Sequence, residues 1–531
     1  MTGRMAVDFG TSKTVVALWD DIRKEAAPQA IPDYSLLIQQ GAEQVSLIPS
    51  LIHYTDDHRR WIGAQVVNQN LTQSPHTFRW MKRYISHRSP IRLRISGKEI
   101  TPFDAGRDFL SSILILAAQT FQIGDEEIAL TVPVEAYEHY EDWLANTAST
   151  AGLGRYRIID EPSAAALGYG THIQPGHIYL IFDFGGGTLH ATVVLMEESD
   201  SSATGRRCRV LGKAGREIGG SSIDQWLFQD ALRQNQRSDM DEEIRRLSNS
   251  LLMECEEAKK RLSYGDRAEL SIMNPDTGAI LAAEWTRTSF EDLLDRNDLF
   301  AGVNQVVRSA LNAARERGYK EDDIKAALMV GGSSLIPSVQ RTLRQFFGKE
   351  RLFADHPFDA IARGGAAFIA GVDFYDHIQH DYAIRYTNPQ KGGYDYHTLV
   401  ERGTAYPTTE PIEVLNIKAS YPNQTQLGLA IFEMGEQRSA SENSRPVELV
   451  FDPSGAARIM PISPAEQERR SLFWMNEKSP TFLTADPPGV QGEDRFRVEF
   501  NIDANKRLLI TVRDLKTGQL THKDYPVVKL T

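Results

Sequence analysis

A strand-turn-strand pattern that occurs twice constrains the fold of this chain more than any other feature of its sequence. Residues 6–12 read Ala-Val-Asp-Phe-Gly-Thr-Ser, and residues 181–188 read Ile-Phe-Asp-Phe-Gly-Gly-Gly-Thr. Each copy is an apolar strand that ends in Asp, followed by an aromatic residue, glycine, a hydroxyl residue and more β-type residues. The pattern predicts two β-hairpins, unlike the strand-loop-helix of a P-loop or dinucleotide site. A duplicated hairpin indicates two similar half-domains that face each other across a cleft.

The residues of the two predicted turns suit a phosphate group. Glycine at a tight turn lets backbone N–H groups approach a phosphate, and the hydroxyls of Thr11, Ser12 and Thr188 add donors. Asp8 and Asp183 end the two strands and would present carboxylates to the cleft. Carboxylates beside phosphates repel them unless a cation lies between, so the pair implies hydrated Mg²⁺. A single Asp-x-Gly-Thr is usually only a turn, and the second copy is what favours a binding site.

Two strand-to-helix corners are candidates for the same cleft. Residues 157–166 form an apolar strand that ends in acids, then a proline and a small-residue helix, which places Glu161 at the corner. An acid there fits the first turn of a helix equally well. Residues 327–334 form a buried strand that breaks at Gly331 and Gly332, where a flat group such as adenine or ribose has room to approach. Taken alone, such a corner is usually a packing device.

A long helical pattern spans residues 240–263. Glu256 and Lys260, and likewise Glu257 and Arg261, are i,i+4 partners on it. Such pairs favour a solvated face with salt bridges, and they do not by themselves indicate a site.

Composition bounds the partners and the compartment. The chain has 59 Lys+Arg against 71 Asp+Glu, a net charge of -12, which argues against nucleic acid or an anionic membrane as a partner, since both bind basic patches. Cys208 and Cys255 have no metal-ligand spacing, and two isolated thiols fit a reducing compartment. The apolar run at 5–7 is too short for a signal peptide, and that at 113–118 is too short for a membrane span. We therefore expect a cytoplasmic protein.

The chain divides into two regimes. Residues 1–372 alternate strand-like runs with helix-like segments, which is typical of an α/β domain, and residues 373–384 are expected to be a linker. Residues 385–531 lack helix patterns and read as a β-sandwich-like module. Within this module, a polar insertion at about 437–478 is expected to be an extended loop with one short helix.

The clearest strands of that module lie near its end. Apolar residues occupy every second position of residues 496–502 and recur after a predicted turn at residues 503–506. This spacing predicts a β-hairpin with one buried face.

Taken in order, these motifs resemble the heat-shock protein 70 chaperone family of the actin-like ATPase superfamily. The resemblance runs through nearly the whole chain. In the α/β part it is carried by residues 7–12, 129–134 with 151–153, 158–170, 182–188, 256–260, 330–333 and 359–371. In the β-rich part it is carried by residues 399–407, 427–436 and 496–505.

The resemblance implies a fold and an activity. The fold is a two-lobed actin-like α/β ATPase domain made of duplicated ribonuclease-H-like halves, followed by a β-sandwich substrate-binding-like domain. The activity is the binding of ATP with Mg²⁺ between the lobes and its slow hydrolysis, coupled to the binding of peptide. The implied partners are an extended polypeptide or a dedicated protein client, a co-chaperone and a nucleotide-exchange factor.

The resemblance also assigns roles to residues that match the family motifs. The residues matched to catalysis are Lys82, Glu161, Asp183, Asp8 and Thr188, of which Asp8 and Asp183 would hold Mg²⁺ through water. The residues matched to ATP binding are Gly10, Thr11, Ser12, Lys13, Gly185, Gly186, Gly187, Thr188, Gly219, Glu256, Lys259, Lys260, Ser263, Gly331, Gly332 and Ser333. Leu427 and Leu429 match the peptide pocket, although their alternation on a strand also fits an ordinary β-core.

Several positions depart from the family pattern. His190 stands where the family has Asp, Lys13 replaces an aromatic residue, and Leu335 replaces an arginine that stacks on adenine. With Lys260 in place of the opposing arginine, nucleotide affinity should be weaker. The sequence printed ends at Thr531, just after the last predicted strand, so we expect no helical lid and fast exchange of peptide.

Two other functions stay open. A nucleotide-dependent scaffold or switch with little hydrolysis fits the altered cation and adenine positions. A small-molecule kinase on the same superfold would need an acceptor pocket with a base, and it gives the β-rich part no role.

Overall fold

The structure, a computed structural model, describes most of the chain. The described residues are 4–40, 43–124, 126–133, 138–169, 174–198, 206–371, 373–375, 378, 380–388, 393–435, 447–463, 471–477, 480–503 and 506–530. Some predicted features fall outside these residues, namely the domain end at 372, linker residues 376, 377 and 379, turn residues 504 and 505, insertion residues 437–446, 464–470 and 478, motif ends 134, 170 and 436, and residue 531.

The helices of the described residues lie almost entirely in the part predicted to be α/β. They are α1 (Ala64–Asn68), α2 (Met81–Ser86), α3 (Pro102–Phe121), α4 (Glu138–Thr150), α5 (Glu161–Gly168), α6 (Gly220–Gln234), α7 (Glu242–Tyr264), α8 (Arg287–Arg296), α9 (Leu299–Glu316), α10 (Pro337–Phe347) and α11 (Ala360–Ile369). Within the described ranges, none of these helices combines the length and the apolar character needed to cross a bilayer.

The strands up to residue 375 are β1 (Met5–Phe9), β2 (Lys13–Asp20), β3 (Glu25–Pro28), β4 (Leu36–Gln40), β5 (Glu43–Pro49), β6 (Ile52–Tyr54), β7 (Arg60–Ile62), β8 (Thr77–Phe78), β9 (Leu93–Ile95), β10 (Lys98–Ile100), β11 (Ile128–Val132), β12 (Tyr156–Asp160), β13 (Ile178–Phe184), β14 (Leu189–Glu198), β15 (Arg206–Arg216), β16 (Arg267–Met273), β17 (Ile280–Thr286), β18 (Ile324–Val330), β19 (Leu352–Phe353) and β20 (Asp373–Tyr375). The later strands are β21 (Asp381–Asn388), β22 (Gly393–Val400), β23 (Glu413–Lys418), β24 (Gln424–Leu429), β25 (Ile431–Met434), β26 (Val447–Phe451), β27 (Ala457–Pro461), β28 (Leu472–Trp474), β29 (Thr481–Gly489), β30 (Asp494–Ile502), β31 (Arg507–Asp514) and β32 (Leu520–Lys529).

The chain forms two compact units. The first comprises Met1–Val134, Asp142–Tyr375 and Pro446–Pro461. The second comprises Glu135–Glu141, Asp376–Arg445 and Ile462–Thr531. The first unit is mixed α/β, and the strands of the second unit make it predominantly β.

The sequence repeat corresponds to a repeat of structure in the first unit. One sheet has the strand order β12-β11-β1-β2-β5-β4, with β3 also on β2, and the other has the order β19-β18-β13-β14-β15-β20. In each sheet the repeated strand, β1 or β13, pairs antiparallel with its hairpin partner and parallel with the strand on its other side. Both predicted hairpins are therefore present. Within the first unit, we call residues 4–134 and 142–169 with the first sheet the first half, and residues 174–371 with the second sheet the second half.

Two helices cross between the sheets. Helix α5 belongs to the first half but packs on β13 and β14 of the second sheet, whereas α11 belongs to the second half but packs on β1, β2 and β11. Their backbones touch where glycines remove the side chains: a Cβ on Gly168 would lie 1.8 Å from Ala360 O, and one on Gly364 would lie 1.6 Å from Ala164 O. One apolar core consequently runs through both halves.

The second unit has a core of its own. Its sheets have the orders β22-β21-β25-β28, β23-β30-β31-β32 and β24-β29, and all three contribute side chains to one apolar cluster. The residues of β30 alternate as predicted, since Phe496, Val498, Phe500 and Ile502 are buried. The unit is therefore held together by side chains that its sheets bury against one another.

The structure corrects the prediction for part of the polar insertion. Residues 447–461, expected to be an extended loop, form the hairpin β26–β27 and belong to the first unit. Its tip is a turn in which Gly455 N donates to Asp452 O (2.7 Å) and the Asp452 carboxylate accepts from Ser454 N (2.9 Å). The hairpin forms because its apolar side chains, Leu449 and Phe451 among them, are buried on the first unit.

Candidate functional site

The two repeated turns lie against each other and close in the same way. Gly10 N donates to Lys13 O (3.0 Å), and Gly185 N donates to Thr188 O (3.1 Å). The turns approach so closely that added side chains would collide. A Cβ on Gly186 would lie 2.6 Å from Ser12 Oγ, and one on Gly187 would lie 2.7 Å from Thr11 Oγ1. The predicted turn residues of the two halves therefore lie together at a single site.

Other predicted residues surround the second turn. Gly220 is the first residue of α6, and its backbone N–H donates to Gly185 O (3.0 Å). A Cβ on Gly219 would lie 2.5 Å from Gly186 C. The N-terminus of this 15-residue helix, with its partial positive charge, thus begins at the turn. Ser333 Oγ also donates to Gly185 O (2.9 Å).

The corner at Gly331 is shaped by its backbone. Gly331 has φ of +80°, and a Cβ there would lie 2.3 Å from Phe184 O. A residue with a side chain would be strained in this left-handed conformation and would collide with Phe184 O. Gly332 is exposed beside it, and Leu335 is half-buried at the end of the same short 3-10 turn. The predicted corner at Gly331 therefore lies beside the second turn.

Four charged side chains are buried next to the turns. Asp8, Lys82, Glu161 and Asp183 are each at most 7% exposed. Lys82 Nζ forms an ion pair with Glu161, and Thr131 Oγ1 donates to Asp8 Oδ1 (2.8 Å). Three carboxyls thus share the neighbourhood of one ammonium group.

The three carboxyl groups of this cluster would carry more negative charge than the one ammonium group of Lys82 can balance. Burial, together with the Glu161 and Asp8 carboxyls, raises the pKa of Asp183 to about 8 against the opposing effect of Lys82. Burial also raises the pKa of Glu161 to about 7 against the opposing effect of Lys82, and it raises the pKa of Asp8. Groups that resist ionisation together become fully charged when a cation joins them. The donor set therefore fits Mg²⁺.

Direct metal ligation is a separate matter. Across the described ranges, no three His, Cys, Asp or Glu side chains come together closely enough to hold a metal ion. The role of Asp8 and Asp183 in holding a cation through water, which the resemblance implies, stays a prediction.

Helix α7 presents its predicted residues as a charged group. Lys259 Nζ contacts Asp224 Oδ1 (2.7 Å) and donates to Gly220 O (3.1 Å), which ties α7 to the start of α6. Lys260 Nζ lies 3.0 Å from Glu256 Oε1. Although burial opposes it, these lysines lower the pKa of Glu256 to about 2.

The remaining predicted residues lie in various surroundings. Burial lowers the pKa of Lys13, and Glu256 partly offsets this effect, so Lys13 lies within electrostatic range of α7. Ser263 Oγ donates to Lys259 O (3.1 Å) on its own helix. His190 is buried and stands directly opposite Asp183 in the β13–β14 register.

The two predicted peptide contacts lie in the second unit. Leu427 and Leu429 of β24 are 2% and 1% exposed and belong to the core of that unit. In this structure their side chains contact the core, and their role in peptide binding stays a prediction.

Sequence reasoning missed several buried polar residues around the cluster. Lys213 Nζ lies 3.0 Å from Asp160 Oδ1, and Asp160 also accepts from Ser163 N (3.1 Å) at the start of α5. An Asp three residues before a Ser, with proline between, is a helix-start signal that could have identified Asp160. Thr131 and Asp224 carry no such signal, because only the fold brings them to Asp8 and Lys259.

Comparisons with known proteins extend these observations. A family model described as Hsp70 protein matches residues 5–447. The chaperone protein DnaK of Deinococcus proteolyticus is 25% identical over 556 residues, an alignment that covers 98% of this chain and 78% of that relative. The match to the family model includes both turns, the buried charged cluster and α7.

Proposed function

Because the chain belongs to the Hsp70 protein family, we propose that it is an ATP-binding, chaperone-like protein that slowly hydrolyses ATP and couples its nucleotide state to the binding of extended polypeptide or a dedicated protein partner. The observation that carries this proposal is the pair of facing turns beside the buried cluster of Asp8, Glu161, Asp183 and Lys82. The first unit would be the two-lobed actin-like ATPase domain, and the second a β-sandwich substrate-binding-like domain.

The two turns would bind the phosphates of ATP. Their backbone N–H groups and the hydroxyls of Thr11, Ser12 and Thr188 supply donors, and the start of α6 adds the positive end of a helix. Glycine at 186 and 187 keeps side chains out of the space between the turns. The binding surface is therefore mostly backbone, which suits a charged group that must be approached closely.

The buried cluster would perform the phosphoryl transfer to water. Lys82 would stabilise the charge that develops on the transferred group, since this reaction depends mainly on positioning and charge neutralisation. Glu161, whose pKa of about 7 lies near neutrality, would orient the attacking water and accept its proton. Asp8 and Asp183 would hold hydrated Mg²⁺, which neutralises phosphate charge when bound.

The adenosine would lie between α7 and the Gly331–Gly332 corner. Glu256, Lys259, Lys260 and Ser333 would contact it as the resemblance implies. Leu335 and Lys260 cannot form the pair of stacked guanidinium groups that the family places around adenine, so the expected affinity is weaker.

The second unit would bind polypeptide, with Leu427 and Leu429 as the predicted contacts. Both side chains are buried, so peptide binding through them requires β24 to move away from its neighbours. A co-chaperone and a nucleotide-exchange factor are the further proposed partners, and the cytoplasm is the proposed compartment.

Single-turnover ATP hydrolysis, measured with and without an unfolded polypeptide, tests the proposal. We expect hydrolysis on Mg²⁺ addition and a change of at least about fivefold in its rate with polypeptide, because coupling energies of about 1–3 kcal/mol are typical of linked sites. A folded protein of similar charge serves as the control. Hydrolysis that polypeptide leaves unchanged would contradict the coupling.

The same assay separates the alternatives. Tight nucleotide binding without hydrolysis would favour the switch, a function that the altered residues Lys13, His190 and Leu335 support. Transfer of phosphate to a sugar or an acid would favour the kinase.

The Asp183→Asn variant is expected to stabilise the nucleotide-free protein and to weaken its Mg²⁺-dependent nucleotide binding. Because the pKa of Asp183 is raised to about 8, the folded chain holds this proton more tightly than the unfolded chain does. The stability that it contributes is present near pH 4 and is lost as the pH rises through about 8. Asparagine removes that loss, so unfolding at pH 8 should cost more free energy than in the wild type, by up to about 5 kcal/mol (roughly 1.4 kcal/mol for each of about four pKa units).

Thermal unfolding with and without Mg²⁺ and ADP measures both effects. The exposed Asp322→Asn change is the matched control, and it should alter neither the stability nor the response to nucleotide. A variant at Asp183 that is no more stable, or that gains as much stability from nucleotide as the wild type, would refute the assignment.

A further inference from the structure

The hairpin β26–β27 lies on the first unit but interrupts the second unit in sequence. The strands that flank it in the chain, β25 and β28, pair with each other in the second unit through Phe432 and Trp474. Residues 447–461, which belong to the first unit, therefore lie between two paired strands of the second unit in the sequence. We call residues 447–461 the strap.

One side of the strap contacts the first half. Tyr84 of α2 donates through its hydroxyl to Leu449 O (3.1 Å), and the ring of Phe451 lies 6.3 Å from that of Tyr84 and 6.2 Å from that of Trp80. Arg94 N of β9 donates to Pro453 O (3.0 Å). These contacts include α2, the helix that carries Lys82.

The other side of the strap contacts α6 in the second half. Gln225 binds the first strand of the strap twice: its amide nitrogen donates to Val447 O (3.3 Å), and its amide oxygen accepts from Leu449 N (2.9 Å). Gln225 lies in the second turn of α6, the helix that begins at Gly220 beside the second phosphate-type turn.

The strap also contacts α7 and the residues that precede it. Asn249 Nδ2 donates to Gly455 O (2.8 Å), and Ser248 Oγ accepts from Ala457 N (2.9 Å). At the tip, Arg245 Nε lies 3.2 Å from Asp452 Oδ2. The strap thus contacts the helix whose last turns carry Glu256, Lys259 and Lys260.

A buried acid of the strap completes the bridge. Glu448 is 3% exposed and lies 3.7 Å from His87 Nδ1, while the other ring nitrogen of His87 lies 2.9 Å from Glu217 of the second half. Arg83, 4.0 Å from Glu448, donates to Ser221 Oγ (2.6 Å) at the start of α6. Burial alone would lower the pKa of His87, but the carboxylates of Glu217 and Glu448 have a larger effect and raise this pKa. The two carboxylates therefore favour a positively charged His87 between them.

We propose that the strap holds the two halves of the first unit together and thereby slows the release of bound nucleotide. In this proposal, nucleotide bound between the turns leaves when α2 moves away from α6 and α7, and the strap contacts all three helices. Direct contacts also cross the same region: Arg83 with Ser221 and His87 with Glu217, which are partly buried, and Ser250 Oγ with Gln73 Oε1 (2.9 Å), which is exposed. The strap adds the buried residues Glu448, Leu449 and Ala457 to these contacts. This inference rests on the proposed function, because it adds regulation to the same site.

The test uses the full chain with the paired change Glu448→Gln and Phe451→Ala, which removes the buried acid and the ring between Trp80 and Tyr84. The control is Met460→Ala, a change at the strap residue that pairs with Glu448 in register but is 53% exposed. Release of fluorescent ADP is followed after mixing with excess unlabelled ADP. We expect release at least tenfold faster in the paired variant and within twofold of the wild type in the control.

Amide hydrogen exchange on the nucleotide-free protein reports docking independently of nucleotide. The amides of Leu449, Ala457 and Ile459 each donate to a side chain outside the strap, so they should lose protection in the paired variant. Two results would overturn the inference. The first is lost amide protection with unchanged ADP release. The second is retained amide protection in the paired variant, because the contacts of Glu448 and Phe451 would then not be what holds the strap. A wild-type protein that binds no ADP would instead contradict the proposed function itself.

A milder change covers the case in which the paired variant does not fold. Arg245→Ala removes the ion pair with Asp452 and a hydrogen bond to Ser454 Oγ (3.1 Å), and Arg245 is partly exposed, so the fold should survive. We expect ADP release about threefold faster, a smaller effect because the change removes only polar interactions at the tip of the strap. Release at the wild-type rate despite lost amide protection at the tip would overturn the inference.

Discussion

Replacement of Lys82 by alanine is expected to slow single-turnover ATP hydrolysis about 10²- to 10³-fold, the usual effect of removing one group that stabilises transition-state charge. Lys82 is the cation buried with Asp8, Glu161 and Asp183, so no nearby water can replace it readily. Nucleotide binding should change far less, because the residues proposed to bind the nucleotide are those of the turns and of α7. The rate of phosphate production with protein in excess over ATP measures the effect.

The partner of Lys82 decides how the variant folds. Glu161 loses its ion pair, but its pKa of about 7 lets it take up a proton near neutrality, so the buried charge need not persist. The variant should therefore stay folded. Lys98→Ala, a change at an exposed lysine in the same half, is the control and should hydrolyse ATP at the wild-type rate. A Lys82→Ala protein within threefold of the wild-type rate would exclude this role for Lys82.

The second large effect is expected at the crossing of α5 and α11. Alanine at Gly364 would place a Cβ 1.6 Å from Ala164 O and 2.8 Å from Gly168 N, both of them backbone atoms that cannot turn aside. The helices would have to separate, and we expect the free energy of unfolding to fall by about 3 kcal/mol, the upper part of the range for overpacked cores. Chemical denaturation followed by tryptophan fluorescence provides the measurement.

A double-mutant cycle makes this test specific. Gly168→Ala meets Ala360 O across the same crossing, so the double variant should lose less stability than the sum of the single losses, because the helices have already moved apart. Gly154→Ala is the control, since its Cβ would meet nothing within 4 Å. Strict additivity, or a loss below about 0.5 kcal/mol for Gly364→Ala, would show that the crossing is looser than the structure has it.

The sequence was most informative where local chemistry and fold coincide. An Asp, an aromatic residue and glycine between β-type runs predict a hairpin by themselves, and the second copy at Asp183 allowed the two halves to be inferred. The family assignment that these motifs supported is confirmed. The roles of Lys82 and Glu161 came from the resemblance, because nothing local to either residue indicates that the fold buries them together.

The strap shows what local reasoning missed. Its signal was present, since Val447, Leu449 and Phe451 alternate ahead of an Asp-Pro-Ser-Gly turn, a typical hairpin sequence. The polar residues on both sides of it in the chain favoured a loop instead. The surface that receives it could not be predicted at all, because Tyr84, Gln225 and Asn249 come together only in the folded first unit.

The crossed packing of α5 and α11 also affects how the protein is made. Gly365 of α11 lies against Ala6 and Ala129 of the first sheet, yet α11 is synthesised 200 residues after β12 ends (residue 360 against residue 160). At roughly 5–20 residues per second, the ribosome needs on the order of 10–40 s for that interval. Until then the nascent first half keeps an apolar sheet face without its cover. We therefore expect the first half to expose this apolar surface during translation until α11 has been made.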